Sequence, residues 1–88
     1  MSTDLYSVFG NKTRVQLIRC LARNPKNVTE LIFNCKLSQS AVSQHLAKLK
    51  KARIVKTEKT GKEIYYSLRY SSAADIAEQI TTLEKEIV

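Results

Sequence analysis

Acidic residues are scarce in most of this chain. Residues 1–69 hold fourteen Lys/Arg against four Asp/Glu, while residues 70–88 hold one against four. A basic body with a net charge of +7 points to an anionic partner, nucleic acid first, although a solvated basic surface is the plainer alternative. No apolar run is long enough to span a membrane and nothing resembles a signal peptide, so a cytoplasmic protein without membrane contact is expected. There is one histidine, His45, and no Cys, Asp or Glu lies within helical reach of it. That excludes a histidine metal site, and no nucleophile, base and orienting group occur together, so neither an enzyme nor a cofactor is expected. The two cysteines, Cys20 and Cys35, are fifteen apart and fit neither a disulfide framework nor a zinc site. Both sit on or beside apolar stripes and are read as reduced, buried thiols acting as small hydrophobes, with a thiol switch as the alternative. No repeat, low-complexity segment or linker divides the 88 residues, so one domain over 1–88 is expected.

What is present has a clear order. TDLYSVFG, residues 3–10, is a short helix with Thr3 as its cap and Leu5, Val8 and Phe9 as its apolar face. A second helix is expected from about Lys12 to Arg23 on Leu17, Ile18 and Leu21, ending before Asn24-Pro25. In NVTELIFNCKL, Asn27 and Glu30 have capping-box spacing, and Val28, Leu31, Ile32 and Cys35 share a face. After a tight turn near Lys36-Leu37, Ser38 caps a helix reaching about Ala52. Two helices so joined form a helix-turn-helix, about 28–51. The period then changes to two. Arg53–Glu58 and Glu63–Leu68 flank a polar turn with Gly61, a hairpin within about 53–68. A last helix spans about 72–87, with Ser72 and Asp75 spaced as a second capping box and Ile76, Ile80, Leu83 and Ile87 in a stripe. The expected fold is mainly α (α+β), a winged helix-turn-helix of order α-α-α-α-β-β-α that dimerises through its terminal helices.

The helix after Ser38 carries the functional expectation. Gln39, Ser40, Ser43 and Gln44 fall opposite Val42, Leu46 and Leu49, where an ordinary soluble helix would carry Glu and Lys. Such groups suit base edges, Gln pairing adenine and Ser serving most edges, at the N-terminal part of a helix in the major groove. Lys48, Lys50 and Lys51 follow, placed for phosphates, and His45 either donates to a phosphate or packs beside the helix. Lys56, Lys59 and Lys62 surround the hairpin turn as a wing on the DNA backbone or minor groove, although exposed lysines also protect an edge strand. Tyr65 and Tyr66 alternate across the strand, one for the core and one for the surface or a phosphate. The stripe Ile76, Ile80, Leu83, Ile87, with Ala73 and Ala77 permitting close approach, is read as a homodimer helix completed by Leu5, Val8 and Phe9. A sequence-indifferent architectural binder and a protein-interaction module using the last helix are the competing readings.

The run VTELIFNCKLSQSAVSQHLAKLKKARIVKTEKTGKEIYYSL resembles the ArsR/SmtB family of winged-helix repressors. LSQSAVSQHLAKL resembles its recognition helix, GKEIYYSL the end of its wing, and NKTRVQLIRCLA, including Arg14, its second helix. The resemblance implies a homodimer on an imperfect inverted repeat in a promoter, with repression released by an unidentified signal. It implies DNA contacts from Gln39, Ser40, Ser43 and His45, and from Lys59 and Lys62 in the wing. Metal-binding members carry cysteines where this chain has Ile32 and Asn34. Cys35 falls where the family usually has a core aliphatic residue. At the family's other site, Asp75 matches a first ligand, but Ala77 stands where His is expected and no later His follows. Neither ligand set is complete. Arg53 replaces the glycine common after the recognition helix.

Overall fold

In a computed structural model, the structure describes residues 4–88. Helix α1 spans Leu5–Phe9, α2 Lys12–Leu21, α3 Val28–Cys35, α4 Gln39–Lys51, and α5 Ser71–Ile87; strands β1 Val55–Thr60 and β2 Glu63–Leu68 lie between α4 and α5. The expected winged-helix order is therefore the observed one.

Local chemistry sets the boundaries. Thr3 lies outside the described residues, and α1 is capped by Asp4, whose carboxylate accepts from the Ser7 N–H at 3.1 Å. A negative group there also suits the helix dipole. Gly10 ends α1 so tightly that a Cβ would lie 2.9 Å from the Tyr6 carbonyl. Asn11 caps α2, which stops at Leu21 rather than Arg23. The Asn27–Glu30 capping box forms in full. Ser38 caps α4 through the Ala41 N–H.

Two further boundaries are corrected. β1 begins at Val55, not Arg53, because Arg53 has φ +64°. Its N–H donates to Lys50 O and that of Ile54 to Leu49 O, both at 3.0 Å, which closes α4 in a Schellman motif. A left-handed residue in that cap cannot also be extended. The Ser72–Asp75 capping box does not form: α5 begins one residue earlier, at Ser71, with Tyr70 as N-cap and no side-chain cap. Ser72 is already inside the first turn, where its hydroxyl has no orphan N–H ahead of it to accept from.

The core lies between α2, α3, α4 and the base of the hairpin. Leu17, Ile18, Leu31, Val42, Leu46, Leu49 and Val55 are its largest fully buried side chains. The strands pair antiparallel from Val55↔Leu68 to Thr60↔Glu63, leaving Gly61 (φ +62°) and Lys62 as a two-residue turn. Tyr66 lies on the Val55 face and packs on the core, whereas Tyr65 pairs with Glu58 on the other face. The segment before α3 also joins the hairpin: Lys26 and Tyr66 exchange backbone hydrogen bonds of 3.0 and 2.8 Å. That bridge ties the helix-turn-helix to the wing.

The cysteine expectation is overturned. Cys20 and Cys35 are joined as a disulfide, their Cα atoms 6.5 Å apart. Leu21 of α2 and Leu31 of α3 are both core residues, and the packing of the two helices brings both sulfurs to the edge of the core, where the cysteines are partly exposed.

Candidate nucleic-acid interface

Helix α4 spends its apolar face on the core. Val42, Leu46 and Leu49 are fully buried, so its orientation is set by packing. The opposite face is thereby free. Gln39, Ser40, Ser43 and Gln44 are all exposed, together with Ala47. The Ser40 hydroxyl lies 3.4 Å from that of Ser38, beside the cap. Lys48, Lys50 and Lys51 are exposed in the last turn, where cations also complement the helix dipole. Lys56, Lys59 and Lys62 are exposed on the hairpin. Thus one helix carries the neutral hydrogen-bonding groups and the hairpin carries lysines close to its turn. Arg19, by contrast, is taken up by Glu78, Nε to Oε1 at 2.9 Å, in a pair joining α2 to α5.

His45 is half-buried, with Nδ1 3.1 Å from Nη1 of Arg14. Burial, and then the charges of Arg14 and Lys48, hold its pKa below the usual 6.5. Arg14 is the residue that sequence reasoning placed on a helix without giving it a role. It is 8% exposed and is the one buried charged side chain among the described residues. Its Nη2 donates to Ser7 O at 2.7 Å and its Nε to Val8 O at 3.1 Å. The signal was present: position 14 falls on the same helical face as Leu17, Ile18 and Leu21, an unusual place for a cation.

A second surface is apolar. Leu5 is 47% exposed, Ile76 42%, Leu83 55% and Ile87 77%. A depression of about 470 Å³ between α1 and α5 is lined by Leu5, Phe9, Tyr70 and Ile76 among others. Three residues read for this surface lie elsewhere. Val8 is 6% exposed and belongs to the subunit's own core, since it points from α1 towards α2. Ala73 and Ala77 are buried too, and the close approach they permit is the packing of α5 on its own subunit, chiefly α2. Phe9 and Ile80 are partly buried against the core and present only an edge. Among the described residues no three of His, Cys, Asp and Glu converge as a metal ion would require, and no helix is long and apolar enough to cross a membrane.

The model of the bacterial regulatory protein arsR family matches residues 11–57, more than half of the chain. The chain belongs to this family. It is 35% identical over 81 residues to the transcriptional activator HlyU of Vibrio cholerae, covering 92% of this chain and 72% of HlyU. It is 38% identical over 65 residues to the HTH-type transcriptional regulator KmtR of Mycobacterium tuberculosis, covering 74% of this chain and 50% of KmtR. The chain thus spans about half the length of KmtR. Its structure superposes on that of HlyU from V. cholerae with a TM-score of 0.77 at 34% identity, covering 90% and 86% of the two chains. The transcriptional repressor PagR of Bacillus anthracis gives 0.76 at 32% identity, covering 88% of each. This is a family of regulators rather than of enzymes.

Proposed function

We propose that the chain is a sequence-specific DNA-binding transcriptional repressor that acts as a homodimer on an inverted-repeat operator. The observation that carries this reading is the division of α4 into a fully buried apolar face and an exposed face of Gln39, Ser40, Ser43 and Gln44. Lys48, Lys51, Lys59 and Lys62 take phosphates, positioning the helix without reading sequence. Leu5, Ile76, Leu83 and Ile87 supply the dimer contact, with the edges of Phe9 and Ile80 beside them. A two-fold dimer then sets two recognition helices one DNA turn apart. The signal that releases the operator is not a metal held at the positions other members use, because Ile32 and Ala77 offer no ligand atoms and Asn34 only a neutral amide oxygen in place of a thiolate. HlyU is named an activator and PagR a repressor, so the direction of control is a separate question from DNA binding.

The test is fluorescence anisotropy with duplex from upstream of the chain's own gene against a shuffled duplex, over a salt series. A preference that survives 150 mM salt with two subunits per duplex is the expected result. With ~6–10 phosphates neutralised, affinity falls about 10³–10⁵-fold between 50 and 200 mM salt. Equal binding to both duplexes would favour the architectural reading. A promoter reporter silenced by the chain then gives the direction.

A further inference from the structure

We propose that Arg14 is a positioning residue for DNA recognition: its buried guanidinium ties the carbonyl end of α1 to His45 and fixes that imidazole as an outward donor through Nε2. The inference rests on the DNA reading of α4 and assigns a role to a residue that faces the core, away from any DNA.

The chemistry leaves little freedom. A guanidinium only donates, so the 3.1 Å contact between Arg14 Nη1 and His45 Nδ1 makes Nδ1 the acceptor. The neutral ring must then carry its proton on Nε2. Among the described residues no hydrogen bond takes that Nε2–H, and the atom is not sealed from solvent, so it is available to a phosphate or base acceptor. A charged side chain this buried is stable only when its donors are satisfied. Arg14 meets that need with Ser7 O, Val8 O and His45, and no carboxylate takes part. One rigid plane therefore joins the end of α1 to the middle of α4. Arg14 from α2 and Lys48 from α4 are the cations beside the ring, and both oppose its protonation, which would remove the acceptor. Because Leu5 belongs to the proposed dimer surface, a displacement of α1 on assembly would move the same guanidinium.

His45 is the only histidine, so the untagged chain labelled with ¹⁵N-histidine gives one imidazole in an NMR spectrum. In the free protein, the expected signal is the Nε2–H tautomer, shifting towards the free mixture in Arg14→Lys, whose ammonium lacks the fork that reaches all three acceptors. An Nδ1–H tautomer in the wild type, or a tautomer indifferent to Arg14→Lys, would overturn the proposal whatever DNA does. In binding, His45→Ala and Arg14→Lys should each weaken the preferred duplex by about tenfold or more, the scale of a hydrogen bond to a charged group. The double variant should be no worse than either. Additive losses would overturn the proposal, since a merely structural Arg14 acts independently of His45. Should Arg14→Lys unfold, His45→Asn serves instead. Asn offers Arg14 its Oδ1 as acceptor, but its Nδ2 donors stop where the ring carbon Cδ2 was, short of the Nε2 position, so the expected outcome is an unchanged melting temperature with the DNA affinity of His45→Ala. Wild-type affinity in His45→Asn would overturn the donor role. A chain that binds no duplex while showing the Nε2–H tautomer would instead sink the DNA reading and leave the Arg14–His45 link standing.

Discussion

Helices α4 and α5 are both amphipathic, yet their apolar faces meet opposite fates. In α4 the three large aliphatic side chains are completely buried, and apart from Ala47 the exposed side chains are polar. In α5 the fully buried positions are the two alanines, while Ile76, Leu83 and Ile87 stay exposed. The first helix has its hydrophobic needs met within the subunit and is free to meet a polar ligand. The second carries more apolar surface than its own subunit covers, and a surplus of that kind marks an interaction surface. The periodicity of the sequence is equally good in both, so the pattern alone does not distinguish an inward from an outward stripe.

Charging the α5 stripe should have the largest effect. Leu83→Asp is expected to dissociate the proposed dimer, costing about 4 kcal/mol or more, the upper range for a central interface residue. Sedimentation equilibrium measures this, and an unchanged mass would return α5 to the status of a simple surface. The disulfide between α2 and α3 comes next. A disulfide closing a loop of 15 residues is worth about 3 kcal/mol, so Cys35→Ser should lower stability by that order. Denaturant melts with and without a reductant check it: the wild type should respond to reductant and the variant should not. Smaller and more selective is the effect of Ser43→Ala, which should relax preference at one base pair by about 1–3 kcal/mol. Lys59→Ala should instead weaken all duplexes alike and lower the salt slope by about 1. Identical profiles for the two would erase the division between reading helix and wing. The smallest effect is expected at the end of α4. Arg53 sits at φ +64°, where glycine is unstrained, so Arg53→Gly should stabilise the fold by up to about 1 kcal/mol. A thermal melt would show it as a rise of roughly 4–8 °C. A fall would mean that the Arg53 side chain contributes more than its backbone costs.

Much of this is legible in the residue pattern alone. β2 was expected over the residues where it occurs, and the caps Asn27 and Ser38 work as their spacing implied, because a side chain three residues from an orphan N–H is a local matter. The polar face of α4 was equally plain. The failures share a cause. Val8 lies on an apolar stripe and Ala73 and Ala77 suit a close approach to a second copy, yet all three are buried where α1 and α5 pack on α2 of the same chain. The cysteines looked like separate small hydrophobes because fifteen residues of sequence say nothing about two helices meeting side by side.

Local spacing was enough for the order of elements, the caps of α3 and α4, the basic charge and the neutral polar face on one helix. These depend on neighbours a few residues apart, where spacing is geometry. The packing of whole elements was needed to bring Cys20 to Cys35 and Lys26 to the wing, to leave Ile76, Leu83 and Ile87 of α5 outside, and to carry Arg14 to His45 thirty-one residues away. Contacts between residues distant in sequence are set by how whole helices and strands pack together, and no local pattern encodes that packing.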